Sequence, residues 1–117
     1  KANTPGCTRE SQDFRDLAAE FERAGATIVG VSRDGLKAQA NFKARHALPF
    51  ELLADTDEAV CRLFDVIKEK NMYGRKVLGI VRSTFLIDAD GVLRQEWRNV
   101  RVPGHAAAVL EAVQAME

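Results

Sequence analysis

The residue in this sequence best placed to do chemistry is Cys7, in the run Thr4-Pro5-Gly6-Cys7-Thr8-Arg9-Glu10. Thr4 is a natural helix N-cap and Pro5 suits the first helical position, so Cys7 falls in a first turn. Backbone N–H groups there lack intrahelical partners, and the helix dipole adds partial positive charge; both favour a thiolate over a thiol. The thiolate is the nucleophile, and a cysteine at a helix N-terminus beside a cation is the expected arrangement for a reactive sulfur. Arg9 is a cation near in sequence, and Arg82, just ahead of a predicted strand, is a second that folding could bring close. Local physics leaves a plainer reading open, in which Thr4 caps, Pro5 starts the helix and Cys7 is a small apolar filler.

Spacing narrows the cysteine chemistries. There is no Cys-x-x-Cys, which argues against a dithiol oxidoreductase of the usual kind. The residues after Cys7 are not glycine-rich, as a phosphate-cradling loop would require. A cysteine hydrolase needs a histidine base, yet His46 falls at a helix end and His105 follows Pro103-Gly104, so each reads as a surface or capping residue. With the cysteines and histidines scattered along the chain, no metal site is expected. Cys61, beside Val60 and one turn before Phe64, reads as buried and inert. Trp97, Phe85 and Phe50 read as core or pocket-wall residues.

The elements that must hold these groups follow from apolar spacing. Phe14, Leu17, Ala18 and Phe21 define an amphipathic helix over 10–24, ended by Gly25. Residues 27–32 form a short β-branched run of the kind buried on both faces in a parallel sheet. A second helix spans 36–46, stopping before Pro49, and a brief strand spans 50–53. Asp55-Thr56-Asp57-Glu58 opens a third helix whose apolar set is Val60, Leu63, Phe64 and Ile67. The charged segment 68–79, with Asn71, Gly74 and Gly79, reads as a loop. Strands 83–87 and 92–97 flank Asp88-Ala89-Asp90-Gly91, a strong hairpin signal. Ala106, Val109, Leu110 and Val113 make a closing helix. Helices alternating with strands, then a hairpin and a last helix, predict an α/β three-layer sandwich with a mixed sheet.

The 117 residues suit one domain over 1–117, and seventeen basic residues balance seventeen acidic ones. That balance gives no global field favouring nucleic acid or an acidic membrane surface. No apolar stretch reaches the length of a membrane span, no signal peptide is apparent, and two cysteines make no disulfide scaffold, so a cytoplasmic protein is expected. The turn-like run Lys1-Ala2-Asn3-Thr4-Pro5-Gly6 stands at the very start with no strand before it, and the chain is expected to be N-terminally truncated.

Three motifs in order, Thr4-Pro5-Gly6-Cys7-Thr8-x-Glu10, Gly30-Val31-Ser32-Arg33-Asp34 and Arg82-Ser83-Thr84-Phe85-Leu86-Ile87-Asp88, resemble the peroxiredoxin Q subfamily, also called bacterioferritin comigratory proteins. The resemblance covers nearly the whole chain. It implies a thioredoxin-like fold whose N-terminal hairpin and interior strand are absent from this sequence. It implies an antioxidant thiol peroxidase acting on hydrogen peroxide and organic hydroperoxides without metal, haem or flavin. Cys7 would be the peroxidatic cysteine, with Thr4 and Arg82 positioning the peroxide and stabilising the thiolate. Glu10 would orient Arg82 or cap the helix, or act only as a first-turn acid. Family members place a resolving cysteine where this chain has Gln12, or in the next helix near Asn41-Phe42-Lys43, and neither site holds one. Cys61 is then the remaining candidate, with resolution by an external thiol the favoured expectation. The implied reductant is thioredoxin, glutaredoxin or a small thiol, and the implied state a monomer or weak dimer. A catalytically silent thioredoxin-like binding module is the alternative.

Overall fold

The computed structural model describes residues 4–116, so the turn expected at Lys1-Ala2-Asn3 lies outside the described residues. The elements run α1 (Pro5–Asp16), α2 (Ala18–Arg23), β1 (Val29–Ser32), α3 (Leu36–Arg45), β2 (Glu51–Ala54), α4 (Ala59–Leu63), β3 (Ile67–Met72), β4 (Arg75–Ile80), β5 (Ser83–Ile87), β6 (Leu93–Arg98) and α5 (His105–Ala115). They divide into two compact units, Lys1–Asp57 with Arg101–Glu117, and Glu58–Val100.

In the first unit, the helix begins at Pro5 as the capping residues predict, ahead of the amphipathic span 10–24, and is broken. Leu17 leaves the helical region at φ −103°, ψ 3°, and its N–H donates to Phe14 O at 3.2 Å, so α1 ends there and α2 starts afresh. The break lets Phe14 stack on Phe21, with ring centroids 5.6 Å apart. Gly25 closes the second helix at φ 82°, a left-handed position that suits glycine. β1 and β2 pair in parallel, Val29 opposite Glu51 through Ser32 opposite Ala54. Burial on both faces does not follow: Val29 and Val31 are 49% and 42% exposed, and Leu53 beside them 47%. The opposite face is closed. A Cβ at Gly30 would meet a Leu52 methyl at 2.6 Å, so a larger residue there would push the Leu52 side chain aside, and Leu52 packs on the core of Phe42, Leu48 and Phe50.

At the C-terminal ends of β1 and β2 a polar knot fixes the pairing. Gln39 Nε2 donates to Ser32 Oγ at 2.7 Å and to Leu53 O at 3.1 Å. The Asp55 N–H donates to Ser32 O at 2.8 Å. Asp55 is therefore buried as a continuation of the strand and does not open a helix, which corrects the expected start of the third helix. α5 buries Ala106, Val109, Leu110 and Val113 as expected. His105, expected at the surface or as a cap, is instead buried, its ring edge-on to Phe14 at 6.0 Å.

In the second unit α4 has only five residues, bounded by left-handed Glu58 (φ 62°) and Asp65 (φ 55°). Ile67 belongs to β3, not to that helix. The segment 68–79 is not a loop. β3 and β4 form an antiparallel hairpin from Ile67 opposite Ile80 to Met72 opposite Arg75. Its two-residue turn is Tyr73-Gly74, both left-handed at φ 54° and 78°, the signature of a primed turn that matches strand twist. The expected hairpin at 83–97 is present as β5 and β6. Asp88 Oδ1 accepts from Asp90 N and Val92 N, each at 2.9 Å, and Gly91 takes φ 80°. Parallel and antiparallel pairing both occur, but among the described residues as three separate two-stranded ladders and not as one continuous mixed sheet. No helix among the described residues is long and apolar enough to cross a membrane.

Candidate active site

The first turn of α1 is built as its sequence dictates. Thr4 is extended at φ −90°, ψ 150°, its Oγ1 accepts from the Cys7 N–H at 3.4 Å, and its carbonyl accepts from the Thr8 N–H at 2.9 Å. Pro5 occupies a position where no donor is needed. The plain capping role of Thr4 and its placement beside Cys7 are thus one and the same geometry.

Cys7 is half-buried and rests, with Phe14, Ile28 and Leu52, on the core of Phe42, Leu48 and Phe50. That packing closes one side of the residue. Arg9, the cation nearest in sequence, donates to Asp13 Oδ1 at 3.1 Å one turn along the exposed surface of the helix. Glu10 is the sixth helical residue counted from Pro5, beyond the first turn, so a first-turn acid is not its role. Its Oε2 is wholly shielded from solvent.

Thr4, Cys7 and Glu10 therefore come together on α1, whereas Arg82 and Cys61 belong to the second unit. Arg82 is half-buried between β4 and β5, and its backbone is held on both sides. The Val100 N–H donates to Arg82 O at 3.0 Å, the Val81 N–H donates to Val66 O at 2.7 Å, and Ser83 Oγ donates to Val81 O at 2.9 Å. Cys61 is 4% exposed on α4, and neither cysteine is in a disulfide. Phe50 is a core residue; Phe85 and Trp97 are half-buried.

Two contributors escaped the sequence. Arg15 reaches from α1 to the far end of α3, where its Nη1 donates to His46 O at 3.0 Å, so a cation closes the C-terminus of a second helix and fixes α1 against it. His46 is the C-cap there, as its position suggested. Phe42, 2% exposed, is the deepest part of the wall behind Cys7. Its place on the helix 36–46 marks it as apolar, but nothing local says that it meets the helix carrying the cysteine.

The chain resembles known proteins closely. Residues 1–96 match the AhpC/TSA family. The peroxiredoxin Bcp of Xanthomonas campestris is 58% identical over 115 residues, covering 98% of this chain and 72% of that protein. The peroxiredoxin Bcp of Bacillus subtilis is 46% identical over 116 residues, covering 99% and 74%. A solved structure of X. campestris peroxiredoxin Q superposes with a TM-score of 0.96 at 57% identity, covering 100% of this chain and 74% of that one. Another, of the bacterioferritin comigratory protein of the same organism, was described for its alkyl peroxide reduction activity and superposes at 0.95 with 57% identity, covering 99% and 74%. The chain thus spans about three-quarters of the length of these relatives.

Proposed function

The chain belongs to the AhpC/TSA family, in its peroxiredoxin Bcp branch of thioredoxin-like fold, and is a thiol-dependent peroxidase; we propose that Cys7 is the sulfur that attacks the hydroperoxide. The observation that carries this reading is the first turn of α1, where Thr4 Oγ1 takes the Cys7 N–H and the half-buried residue rests on an apolar wall.

The chemistry follows from that placement. The Cys7 thiolate attacks the terminal oxygen of the peroxide, an S–O bond forms as the O–O bond breaks, and the leaving oxygen departs with a proton as water or an alcohol. Cys7 is left as a sulfenic acid. An aligned pair of oxygens and fixed donors toward the leaving oxygen are what lower such a barrier. In this reading Thr4, which caps the turn carrying Cys7, orients the peroxide. The parts given to Arg82, as the guanidinium that holds the peroxide, and to Glu10, as its orienting partner, rest on the motif match. A firmly held backbone at Arg82 suits that task. Residues 1–117 would then serve as one peroxiredoxin domain. A silent binding module finds no support in the relatives.

Resolution is by an external thiol in this reading. The sulfenic sulfur forms a mixed disulfide with loss of water, and a second thiol releases Cys7. Gln12 and Lys43 occupy the two family positions for a resolving cysteine, and Cys61 is buried. Thioredoxin, glutaredoxin or a small thiol would supply the electrons, to a monomer or weak dimer, in the reducing cytoplasm that suits two cysteines outside any disulfide. The test is to add one equivalent of peroxide to the purified protein, trap sulfenic acid with a dimedone-type reagent and map the peptides without reduction. Trapped Cys7 with unmodified Cys61 is expected. A Cys7–Cys61 disulfide formed faster than trapping, and lost in Cys61→Ser, would overturn the external route, and continued turnover by Cys7→Ser would overturn the nucleophile.

A further inference from the structure

The second thiol of this chain sits on a helix that has little reason to exist alone. Five residues, Ala59–Leu63, are far fewer than an isolated helix needs. Both flanks, Glu58 at φ 62° and Asp65 at φ 55°, are non-glycine residues in the left-handed region, which costs each of them stability. Leu63 is 79% exposed, so the apolar support on its side is slight. Yet Cys61 is 4% exposed, and its carbonyl is closed by the Val66 N–H at 3.1 Å.

One side chain supplies what the helix lacks. Arg98, the last residue of β6, donates through Nη1 to Asp65 O at 2.8 Å and through Nη2 to Phe64 O at 2.9 Å. Its guanidinium lies 5.2 Å from the Phe85 ring centroid, and that ring packs on Phe64 at 4.6 Å. Glu96 Oε2 accepts from Nη2 at 3.4 Å, which further orients the group. A planar cation thus takes two consecutive carbonyls just past the end of α4 while lying over the Phe85 ring. An ammonium could not do both at once.

We infer that Arg98 is a latch that keeps α4 closed over Cys61, and so sets whether the second thiol of this peroxidase is available to react. With the latch in place, opening of the 58–66 segment is rare and Cys61 stays inert. Without it, the short helix frays locally while both hairpins of the unit remain paired. The inference does not depend on Cys7 being the nucleophile.

The test uses the full-length protein in a Cys7→Ser background and follows alkylation of Cys61 by peptide mapping, with and without Arg98→Gln or Arg98→Lys. Because the Arg98 side chain is 35% exposed, water replaces part of the lost interaction, and an increase of about ten-fold in labelling rate is expected for Arg98→Gln. Arg98→Lys, which keeps the charge but not the fork or the stack, should fall in between. Low urea should barely change the accelerated rate, since local opening exposes little surface. Equal rates in all three proteins would overturn the latch. So would an acceleration that rises steeply with urea, because Arg98 would then be supporting the whole fold. Should Arg98→Gln not fold, the rate in Arg98→Lys and its urea dependence decide alone.

Discussion

Thr4 carries two roles on one oxygen: it accepts the Cys7 N–H at the head of α1, and in the proposed reaction it orients the peroxide. Separating the two roles is a matter of choosing the substitution. Thr4→Val removes the acceptor while keeping the shape, and should lower stability by about 1 kcal/mol, the usual worth of such a cap. Its effect on kcat/KM should be larger than that loss accounts for, and Thr4→Ser should restore both; urea midpoints alongside peroxide kinetics read the two apart. Arg82→Gln should slow peroxide reduction by about 100-fold or more with little change in the unfolding midpoint, because it deletes a charge and no core volume. A kcat/KM within two- or three-fold of the parent would remove Arg82 from the site. The turn that holds Thr4 and Cys7 was legible because capping grammar is local: Thr-Pro-Gly-Cys fixes it without help from the rest of the chain, whereas the part given to Arg82 came only through the motif resemblance. The apolar wall was not, since Phe42, Leu48 and Phe50 meet Cys7 only after α3 and the segment following it have folded back.

Among the elements, α1 and α5 meet through a group that titrates. His105 is buried at the head of α5, where burial pushes its imidazole below the ordinary value of about 6.5. The unfolded chain then takes up this proton more readily than the folded one. Stability is unaffected well above 6.5 and falls as pH drops through 6.5 toward the lower folded value. His105→Gln should therefore flatten the loss of stability between about pH 7 and pH 5, read from urea midpoints at several pH values. A slope unchanged by the substitution would show that other groups carry the acid sensitivity. Element boundaries were legible where a strong local signal marked them, as at Gly25 and at Asp88-Ala89-Asp90-Gly91. The β3–β4 hairpin was hidden because Lys and Glu are poor strand formers; cross-strand pairs such as Lys76 Nζ with Glu69 Oε1 at 3.6 Å appear only once the strands are aligned. The break at Leu17 was hidden for a related reason: the apolar period runs through it undisturbed, and the turn is set by how Phe14 reaches Phe21 and His105.

At the scale of the whole chain, the order of helices and strands was readable because each apolar period is local, whereas strand partnership was not, because a ladder depends on which strands lie side by side. Among the described residues the three ladders have two strands each, and a lone pair of strands is marginal in water. The face that Val29, Val31 and Leu53 share is between 42% and 49% exposed, an apolar strip on a sheet with open edges. About a quarter of the length of each relative lies outside the match. A polypeptide of just these 117 residues is thus expected to unfold over a broad temperature range, with far- and near-ultraviolet circular dichroism transitions that do not coincide, and to associate as concentration rises. Charging the open face should reduce that association without changing the secondary structure: Val31→Lys adds a charge at a position that contributes little to burial, and on an edge a lysine discourages pairing with another chain. The reading fails if sedimentation shows a monomer at all concentrations and both dichroism signals follow one sharp transition, because the two-stranded pairs would then be sufficient supports by themselves.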